Sequence, residues 1–599
     1  MKTVWKWVLG IVGVLIIGLV GTSLYLKKNW KPIVEDHLYK LVENSTDGLY
    51  TLSYEDLDFK LMLGNAKIIG VRLTPDSSVY HKMVEEQKAP DNVYRVALDE
   101  LSISGLKWRE IIKNKKLNIK SIAFHQPDVE LTNTYHAYND TISDEPKTSL
   151  YEKIRHLLSS VSIEKIDTDE LNFKYIKVDS AKTSTTTINH IDIHVREFLL
   201  DDKSESDTSR LYFTKGVEVK IKDFEYPVSD SLYMLKFQTL GFNTNEKTLL
   251  VEQFSIKPAV KRQEIFKVKN ENVTIPDIEM DTLFFEDLNY RELTENTQLI
   301  ASKMKIKGGK VDLYKDKRYP DNLSSKIGES PHQKLRDLDM LVHIDEIFLD
   351  SIDLSYNQMS EKYFKTGRIS FEQISGVMTH VTNDSVSLKT NPILSADLQA
   401  RIYGKGLLKT KFGFDMMDKK GAFTYKGNLG RMQAAEFNRI VTPLLNIKVT
   451  SGNVKGLKFD MKGTDYRNWG TLNFDYDNLK VAILDKDPNS DKTKKVTSYL
   501  LNTILLDESN PNKKGEYIQG KINYQRVPEY TFFKTLWKSL FEGIKQSAGV
   551  DAEREKKLVE MAGKTKKAVE GTKKAVENTK EAVKNVSDKV KGWFKKKEE

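Results

Sequence analysis

From Leu52 onward apolar and polar residues alternate along most of the chain, which is the period of a β-strand buried on one face only. Early examples are Leu101 and Ile103, Leu117 and Ile119, and Ile122 and Phe124. Late ones are Leu398, Ala400 and Ile402; Phe412, Phe414 and Met416; Leu457, Phe459 and Met461; Leu472, Phe474 and Tyr476; and Leu479, Val481 and Ile483. Gly404, Gly406, Gly427, Gly452, Gly463 and Asp477-Asn478 break these runs at intervals suited to antiparallel turns. The pattern predicts strand after strand, with a short helix over Trp108 to Lys113 and another over Tyr290 to Glu295. A sheet with one apolar face must close on itself, pack against a second sheet, or leave a hydrophobic trough.

The chain also repeats itself. Leu106, Trp108, Arg109, Glu110, Leu117, Val129 and Leu131 recur as Leu288, Tyr290, Arg291, Glu292, Leu299, Val311 and Leu313, each pair 182 apart (288 − 106). Val161, Ile163, Ile166, Leu171, Phe173 and Tyr175 recur as Val342, Ile344, Ile347, Ile352, Leu354 and Tyr356, at 181 (342 − 161). Mostly apolar alternating positions are copied, so the duplicated feature is a surface and not a set of reactive groups. A looser motif runs from a leucine through a polar stretch into a strand closed by proline: Leu57 to Pro75, Leu106 to Pro127 and Leu240 to Pro258.

The two ends differ from this body. Trp7 to Leu26 is long and apolar enough to span a bilayer, with Trp7, Val8, Leu15, Leu19 and Leu26 as anchor residues. Lysines and the aromatics Trp5, Trp7, Tyr25 and Trp30 flank it. Its length, and the lack of a small-x-small site, favour a retained anchor over a cleaved signal peptide. Near the other end Phe533, Leu536, Trp537, Leu540, Phe541 and Ile544 share one helical face, expected to pack across the end of the sheet or to touch a membrane surface. Beyond Gly549, heptads such as Thr565 to Gly571 and Thr572 to Asn578 carry a shallow Ala/Val stripe, and the chain closes on Trp593-Phe594 and lysines. Trp537, Phe541, Trp593 and Phe594 are the membrane-surface candidates. The division expected is an anchor over 1–31, a first β-repeat region over 32–260, a second over 261–390 duplicating about 98–200, a C-terminal β-region over 391–527, an amphipathic helix over 528–549 and a basic heptad tail over 550–599.

Composition changes this picture little. The 599 residues are 39% hydrophobic and 30% charged, with net charge +9, of which an excess of five basic residues (15 − 10) falls in 550–599. The near-neutral body argues against a nucleic-acid face. No cysteine is present, which excludes disulfides, thiolate metal sites and cysteine nucleophiles.

Candidate chemistry is sparse. His190, Asp192 and His194 alternate, so a strand would project all three from one face, which reads as a solvent side opposite Ile191, Ile193 and Val195 and not as a metal site. Gly563-Lys564-Thr565 imitates the end of a phosphate loop, but Leu558 stands where the first glycine belongs. The repeated Arg109-Glu110 and Arg291-Glu292 pairs read as structural. No nucleophile elbow is present. The expectation is a chain without catalysis, metal or cofactor.

Gly48 to Leu57 leading into Ile69 to Pro75, then Val96 to Val129, Thr450 to Val454 and Asn473 to Ile483, together with the apolar N-terminus, resemble the AsmA-like family of bacterial envelope proteins. That resemblance implies a mainly β fold: an N-terminal transmembrane helix, an elongated repetitive antiparallel sheet forming a groove, and C-terminal amphipathic helices. It implies a single-pass inner-membrane protein, its bulk in the periplasm, binding or conducting phospholipid towards outer-membrane assembly, with an outer-membrane or envelope protein as partner. Ile103, Ile119, Phe124, Phe474 and Val481 are then the candidate groove lining. The competing expectation is a non-transporting scaffold of the cell envelope.

Overall fold

The computed structural model describes residues 39–550 apart from 40–41, 45, 61–62, 141–149, 156–157, 180–182, 205, 229–230 and 485–506. The described residues divide into two compact units: one comprises those up to 265 with 276–311 and 339–350, the other 266–275, 312–338 and those from 351.

The first unit opens with β1 (Tyr50–Ser53), β2 (Asp56–Lys60) and β3 (Asn65–Pro75), followed by α1 (Ser77–Glu85) and β4 (Asn92–Ser104). Next come α2 (Trp108–Asn114), β5 (Lys116–His125), β6 (Asp128–Thr134) and α3 (Leu150–Ile154). The long strands β7 (Ser160–Val178) and β8 (Thr183–Leu200) lead to β9 (Gly216–Val228), β10 (Tyr233–Asn243) and β11 (Thr248–Pro258). Both β1 and β2 pair with β3, and β4 pairs antiparallel with β3, β5 and β6. Consecutive strands from β7 to β11 pair antiparallel, whereas β5 and β6 each run parallel to β7. Alternation places Leu101, Ile103, Leu117, Ile119, Ile122, Ile163, Ile166 and Val195 in one closed core. Tyr80 and Met83 of α1, Ile111 of α2, and Tyr151 and Ile154 of α3 pack against it.

The duplication is visible element by element. After α4 (Arg262–Lys269) come β12 (Thr274–Glu286), α5 (Tyr290–Asn296), β13 (Leu299–Asp316) and β14 (Val342–Met359), then, past α6 (Pro331–Arg336) in the loop before β14, β15 (Thr366–Thr382). The bounds of β4 and β12, and of α2 and α5, differ by 182 at both ends (274 − 92, 290 − 108). Glu110 Oε2 accepts from Asn114 Nδ2 at 2.7 Å in α2, and Glu292 Oε2 from Asn296 Nδ2 at 2.8 Å in α5. Each helix ends on a left-handed residue, Lys115 at φ 53° and Thr297 at φ 56°, which turns the chain into the next strand. The copies differ in one respect: β5 and β6 are separate, while β13 covers the span of both. Gln126, between β5 and β6, has φ 48°, and its counterpart is Gly308 at φ 65° followed by Gly309, residues that let one strand run through.

In the second unit α7 (Ser385–Thr390) precedes β16 (Ile393–Ile402), β17 (Gly406–Asp415), β18 (Phe423–Leu429) and the short β19 (Met432–Gln433). Then come α8 (Asn438–Leu445), β20 (Ile447–Gly463), β21 (Arg467–Ile483), β22 (Gly520–Gln525) and α9 (Phe532–Ser547). The strands pair antiparallel in the order β15, β16, β17, β18, β20, β21, β22, with β19 also against β20. Aromatic rings fill its core: Phe412 lies 4.0 Å from Tyr425, Tyr425 4.6 Å from Phe459, and Phe423 4.9 Å from Phe532, by ring centroids.

The mainly β reading stands, and two parts of the expected fold class are corrected. The strand pairing is mixed, because two strands run parallel to β7. Among the described residues no helix is long and apolar enough to cross a membrane, so the structure gives no support to the expected transmembrane helix. The anchor residues Trp7, Val8, Leu15, Leu19 and Leu26, the heptad tail with Trp593 and Phe594, and the Gly563-Lys564-Thr565 motif lie outside the described residues.

Candidate binding surfaces

The apolar face of the first unit continues past its closed core. Val195 pairs with Val217, and the two positions beside them on each strand start two cross-strand rows. One row joins Ile193, Val219, Phe242, Leu249 and Phe285; the other joins Leu171, Ile191, Ile221, Leu240, Val251 and Leu283. Residues two apart on a strand share a face, so both rows lie on the face of the core. Their setting changes along the way. Val195 is 1% exposed, whereas Val219, Ile221, Leu240, Phe242, Leu249, Val251 and Leu283 are only partly buried. The opposite face of these strands is charged: Lys236 Nζ meets Glu225 Oε1 at 2.5 Å, Lys257 meets Glu279 at 2.6 Å and Lys222 meets Asp192 at 3.4 Å.

A line of left-handed residues crosses the same strands at mid-length: Gln126, Glu170, His190, Asp223, Gln253 and Gly308, with φ between 48° and 65°. At Glu170 and His190 the register between β7 and β8 shifts, the mark of a β-bulge. At Asp223 and Gln253 the apolar sequence steps by three instead of two, from Ile221 to Phe224 and from Val251 to Phe254. Phe224 stacks on Phe237 at 4.7 Å. On the polar side Gly70, Gln126, Glu170 and His190 line a cleft of about 630 Å³.

The histidine trio does not converge. His190 Nδ1 lies 2.8 Å from Glu170 Oε2, His194 Nδ1 2.8 Å from Asp167 Oδ1, and Asp192 Oδ1 accepts from the Glu170 amide at 3.1 Å. Burial raises the Asp167 carboxyl, but Lys165, His194 and Arg196 together outweigh it and hold the group below the usual carboxylate range. Among the described residues no group of three or more His, Asp or Glu side chains is placed to hold a metal ion. Arg291 Nη1 lies 3.3 Å from Glu295, and Nη2 donates to the Thr208 carbonyl at 3.0 Å and to that of Arg210. Arg109 lies over the Trp108 ring, 5.3 Å from its centroid.

Of the expected groove lining, Ile103 and Ile119 sit inside the closed core at 3% and 2% exposure, and Phe124 packs against it. Phe474 is buried beside Tyr476, 4.6 Å between centroids, and Val481 is partly buried near the end of β21. The C-terminal helix turns a different face to the sheet than its aromatics suggest. Phe532, Thr535, Leu536, Ser539, Gly543 and Ser547 are its buried residues, while Phe533 is 65% and Trp537 41% exposed. Phe541 lies 6.0 Å from Trp537 and borders a cleft of about 870 Å³. Close approach explains the choice of face. A Cβ on Gly520 would fall 2.1 Å from the Gly543 carbonyl oxygen, and one on Gly543 3.0 Å from Leu472 Cβ, so only small residues let the helix lie this near the sheet.

Sequence reading missed the most buried polar cluster. Asp465, 2% exposed, accepts from Arg526 Nη1 at 2.8 Å, Gln333 Nε2 at 2.7 Å, the Gly328 amide at 3.2 Å and Ser330 Oγ at 3.3 Å. Arg526 also donates to the carbonyls of Lys326 at 2.6 Å and Tyr530 at 3.1 Å. Burial lowers its guanidinium and Asp465 opposes the shift. Every donor serves to tie loops together, and none points at open space, so the chemistry is structural. Beside it His332, 2% exposed, stacks on Phe414 at 4.9 Å, and burial draws its imidazole down to about 4.

No family model and no curated protein matches this chain. With no membrane-crossing helix among the described residues either, the resemblance to the AsmA-like family is set aside. The readings that depended on it are corrected together: the single-pass inner-membrane location with a periplasmic body, the phospholipid partner and the outer-membrane or envelope protein partner.

Proposed function

We propose that the chain is a non-enzymatic binding protein whose working surface is the partly buried apolar face of β9 to β12, and that this face receives an amphipathic helix of a partner protein. One observation carries the reading. The apolar rows continue without interruption from a core covered by α1, α2 and α3 onto β9 to β12, where the row residues other than the buried Phe285 are only partly buried. The chain solves the problem of its apolar face on β4 to β8 by laying short amphipathic helices on it, so the cover that matches the remaining rows is of the same kind. Rows two residues apart along the strands are separated by about 7 Å, and a helix about 10 Å across seats over two of them.

The test is access. Titration of the intact chain with the apolar dye bis-ANS is expected to show saturable binding, lost in the double variant Leu240→Asp/Val251→Asp while the far-ultraviolet circular dichroism is unchanged. Dye binding that survives both aspartates would reject this face as the surface. So would the absence of dye binding in the unaltered protein.

A further inference from the structure

In the second unit β22 lies at an edge of its sheet. It pairs with β21 from Arg467 opposite Gln525 to Leu472 opposite Gly520, and among the described residues no strand pairs along its other side. Successive residues of a strand send their amide and carbonyl groups to opposite sides. The Arg526 amide donates inward to the Tyr466 carbonyl at 2.9 Å, whereas the Lys521 amide donates outward, to Gln546 Oε1 of α9, at 2.9 Å. By this alternation the amides of Asn523 and Gln525 also point outward, and neither donates to any group among the described residues. Gln546 thus fills one position of a partner strand and leaves the next two open.

The space beside this edge also suits side chains. α9 lies over the face of Leu472 and Ile522, where its Gly543 makes the close approach, and alternation puts Tyr524 on the same face. There the cleft of about 870 Å³ opens, with Tyr524 and Phe541 on its two sides and Tyr530 between them in the chain. Exposed rings flank it: Trp537 stacks on Phe541, and on the far face of the sheet Trp469 stands opposite Asn523. Unburied aromatic rings gathered at one place are the composition of a protein interface. Lys521 of β22 and Lys538 of α9 line the cleft too, and neither has an ion pair among the described residues. The two carboxylates in the lining, Asp507 and Glu542, already have partners.

We propose that the outer edge of β22 receives an extended segment of a partner protein as an added β-strand, with apolar residues at alternate positions facing the cleft and acidic residues meeting Lys521 and Lys538. The open amides call for backbone carbonyls, and the rings of Tyr524 and Phe541 take every second side chain, which is recognition by strand addition. Charge selects the source of the strand. A second copy would set the same lysine-bearing rim against itself. Residues 550–599 of this chain hold an excess of five basic residues (15 − 10), the wrong sign for that rim. The surface belongs to the second unit and is independent of the apolar face of β9 to β12.

Fluorescence anisotropy on the intact chain tests this with a labelled peptide, acetyl-Glu-Val-Glu-Val-Glu-Val amide, for which saturable binding is expected. The same peptide N-methylated at every residue keeps its side chains but loses its backbone donors and its fit to a strand edge, and should bind at least about tenfold more weakly. A version with lysine in place of each glutamate should weaken similarly, because it meets Lys521 and Lys538 with like charge. Asn523→Pro removes an outward amide without taking a bond from the ladder with β21, so it should lower affinity about tenfold while the far-ultraviolet circular dichroism is unchanged. The two peptide comparisons use the unaltered protein and decide the matter even where that variant does not fold. No binding of the glutamate peptide, equal binding of its N-methylated or lysine form, or full binding retained by folded Asn523→Pro would each overturn the proposal. So would a dimer in sedimentation that Asn523→Pro dissociates, because the edge would then belong to a second copy.

Discussion

At the scale of single residues the energetics concentrate where charge is buried. The Asp465 and Arg526 side chains are each 2% exposed and fully engaged by donors and acceptors from three segments. Asp465→Ala leaves a buried guanidinium without its partner and is expected to cost about 3–5 kcal/mol in urea unfolding. Asp460→Ala, which breaks an exposed pair with Lys426, should change stability by less than about 1 kcal/mol. His332 adds a pH dependence that comes from burial and not from an ion pair. Its ring stays neutral in the folded chain down to about 4, while the unfolded chain takes up the proton near the ordinary 6.5. Stability should thus be intact above about pH 6.5 and fall by up to about 3 kcal/mol as the pH drops towards 4. His332→Phe should remove that part of the slope in unfolding curves measured across this range. None of these residues was legible in the sequence. Asp465 and Gln333 are 132 positions apart, and no local pattern announces a contact made only by tertiary packing.

At the scale of elements, periodicity located what local chemistry governs. Trp108 to Lys113 and Tyr290 to Glu295 were readable as helices, and the structure has Trp108–Asn114 and Tyr290–Asn296. The bulged strands were readable in part: the three-residue step in Val251, Phe254 and Ile256 already departs from strict alternation, and a left-handed Gln253 lies within it. The buried face of α9 was misread because hydrophobicity alone favours Phe533 and Trp537, whereas the approach distance to β21 and β22 selects Thr535, Ser539, Gly543 and Ser547. Steric fit outweighs side-chain size at such a contact. Gly520→Ala places a methyl against the helix backbone at Gly543, so it should displace α9 and destabilise its docking by about 1–3 kcal/mol. Faster amide exchange confined to residues of α9 and β22 would register this, and unchanged exchange there would contradict the close contact.

At the scale of the whole molecule, the duplication was the feature most legible in advance, because copying preserves spacing even where side chains drift. Leu106 and Leu288 remain 182 apart, and the elements around them keep the same order. The fate of an apolar strand face is less legible, since alternation looks the same whether the face is sealed or open. Ile103 and Ile119 proved to be sealed core, while Leu240 and Val251, with the same alternation, are only partly buried. The central claim is that these open rows receive a helix of another protein. Photoreactive benzoylphenylalanine placed at Leu240 in one variant, and at Lys220 on the charged face in another, tests this in the cells that make the protein. The expected result is a protein adduct formed from position 240 and not from 220, lost when Val251→Asp is added. Its cross-linked peptide should carry apolar residues at helical spacing. Equal adducts from both positions, or none from 240, would contradict it.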